Sequence, residues 1–228
     1  MTLADLFRQL SILVGLPAVL IAAGAAALIV IARDWRIVLL AYAALSVMLA
    51  LLLSQVIPTE WALIHAIVAG LVAVMFYLSA RQLRWHPASG VRWEDRWPQM
   101  VSLTGFRALT VGLAAVAFLF VHEQVALPKV EPLFRDLILW LLLIGLLGLA
   151  LHEEPLHAGL SLLIVLGGAQ LLLLTLEQRR MLIGLMEGGQ ILLGLAIAYL
   201  MLARGLEASR PATMPLAFPW GEADDLRR

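Results

Sequence analysis

The chain has 228 residues, of which 62% are apolar and only 14% charged, with 16 basic side chains balancing 16 acidic ones. A soluble domain needs roughly a quarter of its residues charged to cover its surface, so this composition excludes a free-standing soluble enzyme. The zero net charge provides no field that would attract nucleic acid, and the lack of cysteine excludes disulfides and thiolate metal sites.

Seven apolar stretches follow one another, each near the ~20 residues that a helix needs to cross a bilayer. Lipid offers the backbone no hydrogen-bond partners, so helix is the default for such stretches. We predict an all-α, polytopic transmembrane bundle of about seven helices over 1–205, with the first helix retained, and a short cytoplasmic tail over 206–228. The predicted helices span 10–32, 36–56, 59–80, 101–121, 133–151, 156–177 and 181–203.

Basic residues between the helices indicate the orientation. If the N-terminus is outside, most arginines fall in the cytoplasmic segments, although the pair Arg179-Arg180 lies on the other side. Because cytoplasmic loops are enriched in basic residues, this distribution predicts an N-out, C-in arrangement. We therefore expect a multi-pass protein of the inner (cytoplasmic) membrane.

The longest predicted connection, residues 81–100, mixes tryptophan with arginine. Indole and guanidinium groups both suit the headgroup region of a membrane. We predict that this segment anchors the bundle at the interface, and docking of a partner is the alternative. The predicted anchors are Arg81, Arg84, Trp85, Trp93 and Trp97.

Glu187 is the most informative polar residue, because a charge inside a membrane costs at least about 2.5–3.5 kcal/mol. Gln190 shares its helix face, and the tight turn at 178–180 predicts that Gln170 lies level with Glu187 on the preceding helix. Two interpretations remain open. A protonated carboxyl hydrogen-bonds to the amides and holds helices together, or the carboxylate passes protons through the membrane.

Histidines provide the other candidates. His65 lies about one turn into the third helix, and we expect a hydrogen bond to a carbonyl or water at the interface, with titration near neutral pH as the alternative role. His152, Glu153, Glu154 and His157 surround the turn after the fifth helix, and we expect a solvated turn because their spacing fits no zinc site. We predict no metal, no redox cofactor and no catalytic residue.

Two glycine pairs interrupt the last two helices, at Gly167-Gly168 and Gly188-Gly189. Small residues let helix backbones approach closely inside a membrane. We therefore predict that both pairs mark close helix contacts.

The last three helices resemble a known family. The features are the LHAGLSLL stretch at Leu156–Leu163 after an acidic turn, the GAQL run at Gly168–Leu171, and a final helix that opens on Ile183-Gly184 and ends in Leu202-Ala203-Arg204. In these features the chain is similar to component E of hydrogenase-4, a membrane subunit of proton-pumping hydrogenases related to complex I. The three-helix unit is also similar to the K subunit of respiratory complex I.

The chain departs from that family at the positions expected to transfer protons. The family has a membrane-embedded glutamate in helix six, and the corresponding position in this chain is Ile164 or Leu166. The family's lysine in helix three corresponds to a position near Gly70. Only Glu187 lies close to an acidic position of the last helix, offset by about one residue. The resemblance therefore implies a structural or modified subunit.

We thus expect a membrane subunit of a multi-subunit, ion-translocating redox or hydrogenase complex that is not catalytic by itself. Its expected partners are lipid and antiporter-like membrane subunits, and its candidate proton-transfer residues are Glu187, Gln170, Gln190 and His65. The alternatives are a small permease, a membrane scaffold protein, and a lipid-modifying enzyme that uses the cluster at 152–157. A permease often shows an internal repeat, and we find none between the halves of the chain.

Overall fold

The computed structural model describes residues 15–82, 93–125, 127, 130–177 and 180–209, without the side chains of 93–103, 180 and 205–209. Within these ranges the chain forms seven α-helices and a 3-10 turn at His122–Gln124. The helices are α1 (Leu16–Ile31), α2 (Trp35–Val56), α3 (Thr59–Gln82), α4 (Trp93–Val121), α5 (Pro132–Leu151), α6 (Pro155–Leu176) and α7 (Arg180–Ser209).

The predicted fold class, an all-α polytopic bundle, is confirmed. Six of the helices, α2 to α7, are long and apolar enough to cross a membrane. Helix α1 is also apolar but has only 16 residues, and the first part of its predicted range lies outside the described residues. The chain is therefore a multi-pass membrane protein.

Two helices extend beyond their predicted limits. Helix α4 begins at Trp93, eight residues before its predicted start, and α7 continues to Ser209, six residues beyond its predicted end. Hydropathy marks the part of a helix in the hydrocarbon, whereas polar residues continue the same backbone hydrogen bonds in water. The predicted connection 81–100 was therefore too long, because both its ends are helical.

The packing order brings together helices that are distant in sequence. Helices α5 and α6 form the most extensive pair, α7 packs against both α3 and α6, and α2 contacts α1, α3 and α6. Helix α4 touches only α1 and α5 to any extent, and just 6% of its membrane segment is buried. The interior is therefore enclosed mainly by the other six helices.

Only one of the two glycine pairs lies at a close contact. A Cβ added at Gly168 would lie 3.1 Å from the Cβ of Leu141, and one added at Gly167 would lie 3.1 Å from Leu49 Cδ1. A Cβ added at either residue of Gly188-Gly189 meets nothing within 4 Å. The prediction for Gly188-Gly189 was wrong for the described part of the chain, because none of it approaches these positions of α7.

The helices alternate in direction, so two ends of the bundle can be distinguished. Helices α1, α3, α5 and α7 end where α2, α4 and α6 begin, as a hydrogen bond of 3.0 Å from Arg204 Nη1 to the Glu153 carbonyl illustrates. We call this the arginine-rich end, and the other one the opposite end. The arginine-rich end contains Arg33, Arg36, Arg81, Arg107 and Arg204.

Candidate functional site

A group of buried polar side chains lies where α2, α3, α6 and α7 meet, and we call it the polar cluster. Each member is at most 5% exposed. Polar groups buried among apolar side chains are costly unless they are hydrogen-bonded, so the cluster is a candidate site for function. Its members are Tyr42, His65, Gln170, Glu187 and Gln190.

The centre of the cluster is a contact between His65 of α3 and Glu187 of α7. The Nδ1 atom of His65 lies 2.9 Å from Glu187 Oε1, and both side chains are buried. The predicted bond of His65 to a carbonyl or water at the interface was therefore wrong. The sequence did not indicate this pair, because the two residues are 122 positions apart. The depth of one residue in the membrane relative to another was inferred only for helices that follow one another in the chain.

Gln170 of α6 binds the same carboxyl oxygen. Its Nε2 donates to Glu187 Oε1 at 2.6 Å, so the predicted placement of Gln170 level with Glu187 is confirmed. The same nitrogen lies 3.4 Å from His65 Nδ1. Because an amide nitrogen only donates, this second contact is a hydrogen bond only when His65 Nδ1 has no proton.

One proton is shared between His65 and Glu187. A hydrogen bond between Nδ1 and Oε1 requires a proton on one of these two atoms. With a second proton on His65 Nε2, the pair is an imidazolium and a carboxylate when Nδ1 holds the shared proton, and two neutral groups when Glu187 holds it. Both forms have zero net charge, which is the favourable state for a group removed from water. The pair can therefore exchange its proton internally without placing a net charge in the membrane.

Gln190 has a different partner from the predicted one. Its Nε2 donates to the hydroxyl of Tyr42 at 3.0 Å, whereas Glu187, on the same helix, binds His65 and Gln170. Sequence reasoning had not singled out Tyr42. The signal in the sequence was that Tyr42 lies inside α2, whereas tyrosines of membrane helices are enriched at the helix ends.

Several atoms of the cluster have no protein partner among the described residues. They are His65 Nε2, Gln170 Oε1, Glu187 Oε2 and Gln190 Oε1. Buried polar atoms of this kind normally bind ordered water.

The His65–Glu187 pair lies nearer the opposite end, whereas Tyr42 lies seven residues from the start of α2 at the arginine-rich end. His65 is six residues beyond the start of α3, or about 9 Å along the helix. One turn closer to that end, the buried side chains of Leu174 and Ile183 follow Gln170 and precede Glu187. A layer about one helical turn thick therefore separates the His65–Glu187 pair from the opposite face of the membrane.

A second histidine site lies at the arginine-rich end. His152 and His157 are 6% and 3% exposed, and their rings stack with centroids 4.8 Å apart. His152 Nδ1 lies 2.9 Å from the Gly148 carbonyl, and His157 Nε2 lies 3.2 Å from the Ala32 carbonyl. The prediction of a solvated turn was therefore wrong for the two histidines, because the end of α1 packs over them, whereas Glu153 and Glu154 are exposed as predicted.

Glu154 is the exposed member of this site. Its Oε2 lies 3.1 Å from His157 Nδ1, which is an ion-pair distance although the two groups are not aligned as a hydrogen bond. The neighbouring His157 lowers the pKa of Glu154 below its usual value. Over the described ranges, no three histidine or acidic residues are arranged to hold a metal ion.

The burial of His152 predicts that acid destabilises the protein. Burial lowers the pKa of His152 from 6.5 to about 4, and the neighbouring His157 and Arg107 act in the same direction. The unfolded chain then binds more protons than the folded one between these values, so stability falls as the pH drops from 6.5 towards 4. We expect the thermal midpoint in detergent to fall between pH 7.5 and 5, and to fall less in His152→Asn.

His122→Asn is the matched control for this measurement. His122 Nδ1 makes the same type of contact with a carbonyl four residues earlier, Phe118 O at 3.1 Å, but is only half-buried. Glu154 adds its own acid dependence below its usual pKa of 4.5, outside the measured range. An equally steep pH dependence in His152→Asn and the wild type would contradict the prediction.

The structure describes only part of the predicted interface anchors. Arg81 lies exposed in the last turn of α3, and Trp93 and Trp97 lie in the first turns of α4 without described side chains. Arg84 and Trp85 lie outside the described residues. Anchoring by this segment stays a prediction.

Comparisons of the chain with protein-family models, with curated proteins and with solved structures find no match. The similarity to component E of hydrogenase-4 and to the K subunit of complex I therefore depends on the sequence features alone.

Proposed function

We propose that this chain is a membrane subunit of a larger, complex I-related, ion-translocating redox or hydrogenase complex in the inner membrane, and that its polar cluster assists proton transfer. The observation that supports this most directly is the 2.9 Å contact between His65 Nδ1 and Glu187 Oε1 inside the membrane-spanning bundle. A buried ionisable residue in a membrane helix is expensive and is typical of proton pathways.

The chemistry of the pair suits a proton relay. From the form with a proton on His65 Nδ1 alone and an ionised Glu187, uptake of a proton at Nε2 lets the ring pass the Nδ1 proton to Glu187 Oε1, and rotation of the carboxyl group then lets Glu187 release it. The resemblance expects a basic residue on helix three near Gly70 and an acidic residue on the last helix. In this interpretation His65 and Glu187 take these roles at shifted positions.

The outer surface of the bundle supports a role as a subunit. On α7, a Cβ added at Gly184 or Gly188 meets nothing within 4 Å. Small residues spaced by four on an open helix face permit close approach of another membrane helix. Antiporter-like subunits are the partners that the resemblance implies.

The proton-transfer role is tested by Glu187→Gln in vesicles that contain the native assembly. Glutamine keeps the size of the side chain and its ability to accept the Gln170 hydrogen bond, but it cannot exchange a proton. We expect the proton flux driven by an imposed membrane potential, read with a pH-sensitive dye, to fall about tenfold or more. Glu60→Gln is the matched control, because Glu60 is exposed in the first turn of α3.

Two outcomes would overturn the proposal in different ways. An unchanged proton flux in Glu187→Gln, with the assembly intact, would assign the pair a purely structural role. Gentle solubilisation should yield an assembly much larger than the 24.9 kDa chain. A stable monomer or homodimer that transports a solute in liposomes would instead favour a permease.

A further inference from the structure

Gln170 contacts both residues that share the proton in the polar cluster. Its Nε2 atom donates to Glu187 Oε1 at 2.6 Å and lies 3.4 Å from His65 Nδ1. The side chain is 1% exposed, and its other polar atom, Oε1, has no partner among the described residues. The described hydrogen-bond partners of Gln170 are thus confined to the His65–Glu187 pair.

Two nitrogen atoms converge on one carboxyl oxygen of Glu187. Oε1 lies 2.9 Å from His65 Nδ1 and 2.6 Å from Gln170 Nε2. An ionised oxygen accepts both hydrogen bonds when Nδ1 holds the shared proton, and hydrogen bonds to an ionised acceptor are roughly twice as strong as neutral ones. When Oε1 holds the proton, it donates to His65 and is only a neutral acceptor for the Gln170 amide. The hydrogen bond from Gln170 therefore favours the carboxylate.

The longer contact between Gln170 and His65 does not offset this preference. Gln170 Nε2 can donate to His65 Nδ1 only when that nitrogen has no proton, which is the case when Glu187 holds it. The nitrogen has a single lone pair, and in that form it already accepts the proton of Glu187. The separation of 3.4 Å is also longer than the roughly 2.7–3.2 Å of a typical N–H hydrogen bond.

Glu187 has no other described donor that could replace Gln170. Its second carboxyl oxygen, Oε2, is buried and has no protein partner in the part of the chain that the structure describes. His65 and Gln170 are therefore the two described donors to the carboxylate. A buried carboxylate is costly unless it is paired and hydrogen-bonded, so the loss of one donor favours movement of the proton to Glu187.

We propose that Gln170 is a positioning residue that keeps the shared proton on His65, by donating a hydrogen bond to the carboxylate of Glu187. Without this hydrogen bond, the N–H bond at Nδ1 breaks and an O–H bond forms at Oε1. The inference rests on the proposed proton transfer only in giving it a starting form. The location of the proton is a property of the isolated chain, whether or not protons cross the membrane.

The test is infrared spectroscopy of the purified chain in detergent at about pH 7, where exposed carboxyl groups are ionised. A protonated carboxyl group has a C=O stretching band that a carboxylate lacks. We expect no such band from Glu187 in the wild type. In Gln170→Met, which keeps an unbranched side chain but removes the donor, the ratio of ionised to protonated Glu187 should fall about tenfold or more, so that the band appears. Its absence from Gln170→Met/Glu187→Gln would assign the band to Glu187.

Gln190→Met is the matched control for this measurement. Gln190 is also a buried amide, 5% exposed, but its Nε2 donates to the Tyr42 hydroxyl at 3.0 Å and not to Glu187. This variant should leave the carboxyl region of the spectrum as it is in the wild type. Gln170→Leu removes the same donor with a side chain of another shape, and it replaces Gln170→Met if that variant does not fold.

Three results would overturn the inference. A protonated carboxyl band in the wild type that disappears in Glu187→Gln would show that Glu187 already holds the proton. No band in either Gln170 variant would show that the amide does not decide where the proton lies. An equal band in Gln190→Met would show a general effect of removing a buried amide. An unchanged proton flux in Glu187→Gln would reject the proposed relay but would leave these spectra, and the role of Gln170 in them, unaffected.

Discussion

Replacing His65 with leucine is expected to lower the free energy of unfolding by about 3 kcal/mol, because it removes one partner of a buried, hydrogen-bonded pair. Glu187 would keep its bond from Gln170 but lose the group that shares its proton. The expected loss lies at the low end for buried pairs, since Gln170 still donates a hydrogen bond to Glu187. Reversible unfolding in mixed micelles measures this change.

The double variant His65→Leu/Glu187→Leu tests whether the two side chains interact directly or each only fills space in the interior. Each single variant leaves one polar partner unsatisfied, whereas the double variant leaves only the Gln170 amide. The two changes should therefore destabilise less together than the sum of the singles, with a coupling energy of about 1–3 kcal/mol. His122→Leu combined with Glu187→Leu is the control and should be additive within about 0.5 kcal/mol. If the losses of stability in His65→Leu and Glu187→Leu simply add in the double variant, the two side chains do not interact.

Replacing Gly145 with alanine is expected to destabilise the bundle by about 2 kcal/mol through overpacking between α5 and α6. The added Cβ would lie 2.6 Å from Val165 Cγ2, 2.9 Å from Val165 N and 3.0 Å from the Ser161 carbonyl oxygen. Two of these atoms belong to the backbone, so a rotamer change cannot relieve the contact and the helices have to separate. The same unfolding assay in micelles measures the loss.

Gly24→Ala is the matched control for this prediction. Gly24 also lies within an apolar helix, α1, but a Cβ added there meets nothing within 4 Å. Because alanine has the higher helix propensity, this variant should be neutral or more stable by up to about 1 kcal/mol. If both alanine variants change stability equally, the close approach of α5 and α6 at Gly145 does not exist.

The helices themselves were predictable because the membrane imposes a local rule. A stretch of about 20 apolar residues must form a helix in lipid, whatever the rest of the chain does. The predicted starts of α2, α3, α5, α6 and α7 differ from the observed ones by at most one residue. The level placement of Gln170 and Glu187 was predictable for a related reason, since a short turn joins their helices and the two residues are only 17 positions apart.

The contacts between distant helices were not predictable in this way. His65 and Glu187 are 122 positions apart, and Tyr42 and Gln190 are 148 positions apart. In a soluble protein an apolar stripe marks the face of a helix that packs inside. In a membrane the lipid-facing and protein-facing sides are both apolar, so the sequence contains no comparable signal for which helices meet.

The same limit explains the errors at His152, His157 and the last glycine pair. Histidines beside a turn suggest exposure, but the end of α1 covers them, as the contact of His157 with the Ala32 carbonyl shows. Gly188-Gly189 suggests a close contact, but that face of α7 is open. Composition and hydropathy alone thus define a multi-pass bundle with one carboxylate in its interior. The tertiary structure alone gives Glu187 a histidine partner, because only packing decides which helix faces α7.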